Sequence, residues 1–286
     1  MAAIFFAVLA HVGWGVGDVF GAVVSRRIGG YATTFWLLIV RIPVLAFYLP
    51  FDRDNLAALT WESLGWSAGL ALVALVGAVL FFEALRVGNA SLAGTIGSAF
   101  VVPTVLLSVI FLGETLSVAQ ALAVALITVG LVVTTLDVRV LRARQVVVDR
   151  GLVLALLAML ALGVYFAFIR LPVAQIGWFL PAYISFFFAP LVLLIMRFRK
   201  IPLQSPFARG VWRPFLILFS LAAVATFSYN IGVSLGYTAV VAPIAGSSPV
   251  TFAALSAWMF KETLPRRQLW GLVITLLGIV ALSALA

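Results

Sequence analysis

Polar residues are so sparse along this chain that it reads as long apolar runs with short polar interruptions. Ten runs stand out, near Ala3–Val24, Tyr31–Pro50, Leu64–Leu85, Ser91–Leu112, Val118–Leu136, Gly151–Ile169, Ile176–Met196, Arg213–Leu235, Ala239–Phe260 and Gln268–Ala284. Each approaches the ~20 residues a helix needs to cross a bilayer. The interruptions are too short for a separate soluble domain, so the chain must act inside the membrane or at its faces. The pattern predicts an all-α, polytopic membrane protein of ten transmembrane helices.

Composition agrees. Of 286 residues, 65% are hydrophobic and 9% charged, which leaves too few polar side chains to cover a soluble domain. The net charge of +9 does not indicate nucleic acid, because the basic residues cluster at span ends, where they face lipid headgroups. The absence of cysteine excludes disulfides, thiolate metal sites and thiol redox chemistry. Met1–Ala10 lacks a basic leader region and reads as part of a retained first span.

Lys and Arg fall unequally between alternate loops. One set holds Arg26, Arg27, Arg86, Arg139, Arg142, Arg144, Arg150, Arg197, Arg199, Lys200, Arg209, Arg213, Lys261, Arg266 and Arg267. The other set holds Arg53 and Arg170. Basic loops stay in the cytoplasm. Both termini are therefore expected outside it, in a bacterial inner membrane.

The chain also repeats itself. Phe111-Leu112-Gly113-Glu114-Thr115-Leu116 resembles Phe260-Lys261-Glu262-Thr263-Leu264, an offset of 148. At that offset Gln120 meets Gln268, Gly130 meets Gly278, Gly88 meets Gly236 and Gly15 meets Gly163, without a gap. The chain divides into a first five-helix repeat at 1–137, a basic linker at 138–149 and a second repeat at 150–286. Five is odd, so the second half enters the membrane in the opposite sense. Such inverted repeats surround a central cavity in many secondary transporters.

Each half carries Glu-Thr-Leu at the end of its fourth span. With Gly13-Trp14-Gly15 in span 1, Arg41 in span 2 and Ala84-Leu85-Arg86 closing span 3, the chain resembles the EamA-type drug/metabolite transporters. The resemblance covers nearly the whole chain. It implies a ten-helix basket around a central cavity and export of amino acids or other small metabolites. Many such relatives carry cytoplasmic termini and a basic loop after span 2. Here that loop reads Asp52-Arg53-Asp54-Asn55.

Ionisable side chains at membrane depth mark a cavity, a partner or an ion path. They are His11, Asp18, Arg41 and Glu83, joined by the amide of Asn230. His11, Gly15 and Asp18 share one face of span 1. At ~1.5 Å per residue, Asp18 lies roughly 10 Å and Arg41 roughly 15 Å from the same end. Two readings are open. Asp18 and Arg41 form an ion pair that fixes helix packing, or they line the cavity and hold the amine and carboxylate of a zwitterion. Asp18, Glu83 and His11 are the candidates for proton coupling, with Arg41 and Arg86 as alternative partners of Glu83 and packing as the alternative role of His11. Glu114 and Glu262 read as caps for the helix that follows each of them.

Spans 4 and 9 contain Gly94-Thr95-Ile96-Gly97-Ser98 with Pro103, and Pro243-Ile244-Ala245-Gly246-Ser247-Ser248-Pro249, at matching places. Paired Gly/Pro-rich spans point to a transporter site through broken helices, or else to close packing through small residues. The expected substrate-binding set is Trp14, Asp18, Arg41, Tyr165, Tyr229, Asn230, Ser98 and Ser247.

No phosphate-binding Gly-rich loop followed by Lys and Ser/Thr is present, and a lone histidine excludes a His-clustered metal site. No cofactor is expected, and the chain is not read as an enzyme. The expectation is a secondary transporter or exporter of small organic metabolites, amino acids or drug-like compounds, by alternating access, with protons as a candidate coupling ion and a monomer favoured. The rival reading is an intramembrane lipid-handling protein or enzyme with a site at the cytoplasmic face, around Glu83 and Arg86.

Overall fold

The computed structural model describes residues 1–87, 96, 99–135, 150–260 and 265–286, with the side chains of 135 and 256–260 left aside. Among the described residues every regular element is helical. The first half contributes α1 (Ala2–Ile28), α2 (Gly30–Leu45), a 3-10 segment (Ala46–Phe51), the short α3 (Arg53–Ala57), α4 (Trp61–Val87), α5 (Val101–Leu112) and α6 (Val118–Thr135). The second contributes α7 (Arg150–Phe168), α8 (Arg170–Ile176), α9 (Leu180–Phe186), α10 (Ala189–Phe198), α11 (Trp212–Leu235), α12 (Thr238–Gly246), α13 (Pro249–Phe260) and α14 (Arg266–Leu285). Eight described segments are long and apolar enough to cross a membrane, and α5 and α6 supply shorter apolar helices.

Several expected spans are interrupted, each for a local reason. Pro50 has no N–H for a helical ladder, and span 2 tightens into the 3-10 segment. Pro190, near the start of α10, breaks span 7 after Phe186. In span 9 the break falls at Ser247–Ser248, before Pro249, while Pro243 stays inside α12. In span 4, Gly94, Thr95, Gly97 and Ser98 lie outside the described residues. A turn at Ala99–Phe100 precedes α5, at the 148-residue equivalent of Ser247–Ser248. Span 6 runs on through α8 to Ile176, so Arg170 is helical and not in a loop.

The largest helix contacts join the two halves: α1 against α11, α4 against α7, and α6 against α14. Shifting by 148 residues exchanges the first two pairs and returns the third to itself. Close contacts repeat the relation. A Cβ on Gly15 would sit 2.6 Å from the Thr251 Cβ, and one on Gly163 would sit 2.5 Å from Pro103 Cγ. Position 103 is the equivalent of 251. A Cβ on Gly130 would meet the Thr275 nitrogen at 2.5 Å, and one on Gly278 would meet Ile127 Cγ1 at 2.7 Å. These glycines let backbones approach where lipid-exposed helices gain little from hydrophobic association. The two repeats are thus folded against each other along one set of equivalent seams.

Loop contacts sort onto two faces. On one, Arg27 donates to the Gly210 carbonyl and the Trp36 indole N–H donates to the Gln204 carbonyl. On the other, Gln175 donates to Glu62 and Gln120 donates to the Leu285 carbonyl. Among the described residues, the first face carries Arg26 and Arg27 at the end of α1 and Arg199, Lys200 and Arg209 in the segment after α10.

Candidate functional site

Each helix around the centre offers one stripe of side chains at helical spacing. Trp14 and Asp18 come from α1, and Thr34, Leu38 and Arg41 from α2. α4 adds Ala78 and Phe81, α7 adds Leu162 and Phe166, and α11 adds Ala222 and Thr226. Together with Phe100 and Ser248 they border a cavity of about 200 Å³. A second lobe of about 150 Å³ shares Trp14, Thr34, Arg41, Phe166 and Thr226 and adds Tyr165, Ser185 and Phe186.

The chamber lies between equivalent positions of the two halves. Trp14 and Leu162, Asp18 and Phe166, Ala78 and Thr226, and Phe100 and Ser248 are each 148 apart and all border the larger lobe. The charged groups break this symmetry: Arg41 has Ala189 as its equivalent, and Asp18 has Phe166.

Arg41 is 7% exposed, and no hydrogen-bond partner reaches its Nε or Nη2 among the described residues. Its guanidinium carbon stands 5.4 Å from the Phe186 ring centre and 5.8 Å from that of Phe219. These ring faces attract the cation but offer no acceptor for its N–H groups. Of the two readings left open, the direct ion pair is not formed: among the described residues no Asp18 oxygen comes within ion-pair distance of Arg41. Both residues border the larger lobe.

The other expected site residues separate into lining and scaffold. Trp14 borders both lobes and packs against Phe100, Phe166 and Tyr229, with the Phe166 ring centre 5.1 Å away. Tyr165 borders the smaller lobe. Tyr229 stands behind this layer, fully buried, and donates to the Phe166 carbonyl at 2.9 Å. Asn230 donates to the Trp178 carbonyl at 2.9 Å, outside the chamber. Ser247 is held at 2.9 Å from His11 Nδ1 and donates to the Ile244 carbonyl; its neighbour Ser248 borders the chamber instead. Ser98 lies outside the described residues.

His11 reaches Ser247 through Nδ1 and Thr251 through Nε2, at 2.9 and 2.7 Å. It ties α1 to residues on both sides of the break in span 9. Glu83 pairs with Arg86 at 2.8 Å and accepts from the Gly30 N–H at 3.0 Å, where it stabilises the start of α2. Neither borders the chamber, so of the coupling candidates Asp18 alone faces it.

Glu114 differs from expectation in its partner. Ser117 and Gln120 cap α6 reciprocally: the Ser117 N–H donates to Gln120 Oε1 at 2.9 Å and the Gln120 N–H to Ser117 Oγ at 3.2 Å. Glu114 reaches instead into the other half. It accepts from the Thr238 and Ala239 N–H groups at 2.8 and 2.6 Å and pairs with Arg170. Thus it caps α12. Glu262 lies outside the described residues.

Phe186 also belongs to an aromatic layer with Tyr48, Trp178, Phe179, Tyr183 and Phe227. Tyr48 and Phe179 are 4.7 Å apart, and Tyr183 donates to the Ile42 carbonyl at 3.2 Å. Phe186 joins this layer to the smaller lobe.

Sequence reasoning missed Thr34, Ser185, Thr226 and Ser248 as lining residues. Thr34 shares a helix stripe with Arg41, at seven residues' distance, which is the one available signal.

The chain's two halves, residues 1–136 and 149–284, each match the EamA-like transporter family. The chain belongs to that family. As an EamA-like chain it is an integral membrane protein with the two-repeat architecture of a drug/metabolite transporter. It is 27% identical over 137 residues to an uncharacterized protein of Methanocaldococcus jannaschii, across 47% of this chain and 97% of that one. That alignment is one repeat long. A crystal structure superimposes with a TM-score of 0.77 at 17% identity, covering 99% of this chain and 97% of the other, a likeness of fold.

Proposed function

We propose that this EamA-like chain is a secondary transporter of small organic metabolites that works by alternating access. The observation that carries the reading is the chamber bordered by equivalent positions of both halves. A solute bound there touches both repeats, so rocking one against the other exposes it to alternate faces. In this reading the two repeats span the membrane in opposite senses, and the Lys/Arg asymmetry supports both termini outside the cytoplasm of a bacterial inner membrane. The direction of transport in this reading is export, from the cytoplasm outward. Asp18 is the one candidate for proton coupling that borders the chamber. The protein works as a monomer.

Counterflow of labelled amino acids and organic acids in proteoliposomes, with and without a pH gradient, tests this. Saturable exchange above empty liposomes is expected. No exchange of any solute by folded protein would overturn it. A C-terminal reporter active only in the cytoplasm would overturn the orientation.

A further inference from the structure

The segment joining α10 to α11 is held inward at three places five residues apart. Ile201 packs against the core, and Pro206 and Val211 are buried. The Ile201 N–H donates to the Met196 carbonyl at 2.8 Å. Trp36 of α2 donates to the Gln204 carbonyl, also at 2.8 Å, and Arg27 of α1 donates to the Gly210 carbonyl. The Phe207 ring centre stands 5.9 Å from that of Trp36 and 6.0 Å from that of Phe215. The segment is a strap: it leaves and rejoins helices of the second half and is tied between them to α1 and α2 of the first.

Between its anchors the strap turns two kinds of side chain outward. Arg197, Arg199, Lys200, Arg209 and Arg213 are exposed, and Arg26 lies exposed beside Arg27. Phe198, Phe207 and Trp212 are 80, 55 and 40% exposed. Residues 197–213 contain no Asp or Glu, and among the described residues none of these cations has an ion-pair partner. The equivalent residues 49–65, 148 positions earlier, carry one cation, Arg53, against Asp52, Asp54 and Glu62. The repeat architecture therefore accepts either sign in this connection, and the fold does not require five cations in the later one.

We propose that this strap is a docking surface for the headgroups of anionic phospholipids. The cations meet the phosphodiesters, and Phe198, Phe207 and Trp212 enter the interfacial layer between them, where aromatic rings are favoured. Setting the orientation of the chain needs positive charge alone. It does not need a bonded strap that interleaves cations with exposed rings. The rings also decide between a lipid and a dissolved anion, because free phosphate gains nothing from an apolar neighbour. Since the strap ties α10 and α11 to α1 and α2, a lipid layer held on it braces the two halves against each other at this face.

Purified full-length protein in a nonionic detergent would be titrated with phosphatidylglycerol, with phosphatidylcholine of the same chains, and with inorganic phosphate, reading the unfolding midpoint. Phosphatidylglycerol should raise the midpoint saturably, and the other two should not. Each basic residue near an anionic lipid surface is worth roughly fivefold in binding. Neutralising three at once, as Arg199→Gln, Lys200→Gln and Arg209→Gln, should therefore raise the phosphatidylglycerol needed for half the effect at least ~10-fold. The paired change Arg199→Lys and Arg209→Lys keeps the charge and should keep the response, and Arg53→Gln on the acidic connection should leave it unchanged. Native mass spectrometry gives a second readout: wild-type protein should retain phosphatidylglycerol in preference to phosphatidylcholine, and the triple variant should lose that preference. An equal response to phosphatidylcholine, an equal response to inorganic phosphate, no response to any of the three, or an undiminished response in the triple variant would overturn the proposal.

Discussion

Two buried charges of opposite sign differ in one respect. Glu114 has a side chain 1% exposed and is satisfied by two backbone N–H groups and Arg170. Arg41 is 7% exposed and has a partnerless fork edge beside a void. Arg41 lies inside α2 and Glu114 in the turn between α5 and α6, both buried in an apolar protein, where an unneeded charge carries a desolvation cost. The satisfied charge ties the first half to α8 and α12 of the second and holds the architecture. The unsatisfied one borders the chamber. Charge satisfaction separates the charge that ties the halves together from the one that borders the chamber.

Substitutions can break this contrast. The largest effect is expected for Glu114→Ala, which leaves the α12 amides and Arg170 without their carboxylate. Breaking a buried pair costs about 3–5 kcal/mol, seen as a lower thermal midpoint in detergent. An unchanged midpoint would show that the bridge between halves carries no stability. Next comes Gly130→Ala, whose new methyl would press on the Thr275 backbone. A loss of about 1–3 kcal/mol is expected from overpacking. Gly65→Ala, with nothing within 4 Å, should be neutral or mildly stabilising and serves as the control. Ser117→Ala removes half of the reciprocal cap on α6, for about 1 kcal/mol, measured the same way. The smallest effect is the most diagnostic. Arg41→Met should leave the midpoint unchanged or raised, because it removes a buried charge without stranding a partner, while counterflow falls to background. A large loss of stability in that variant would place Arg41 with the scaffold beside Glu114.

The positions of the charges along the chain were legible, but their partners were not. Glu114 was recognised as a cap, yet the helix it caps begins more than a hundred residues later. Its nearer client was already served by Ser117 and Gln120, and no local pattern shows that the cap is redundant. Asp18 and Arg41 stood out as ionisable residues within apolar runs, but whether they pair depends on side-chain distances across helices, which no linear pattern carries. Ser247 and Ser248 show the limit most narrowly. Adjacent residues at one helix break face different neighbours, one toward His11 and one toward the chamber.

The amino-acid order alone determined the membrane as solvent, the approximate spans, the duplication at a 148-residue offset and the symmetric weak points in spans 4 and 9. Those features follow from composition and local backbone chemistry, which a linear pattern carries. The packed structure alone decided which stripe of each helix borders the chamber and which buried charge goes unanswered. A helix between lipid and protein is apolar on nearly every side, so its periodicity cannot tell a lipid-facing stripe from a cavity wall.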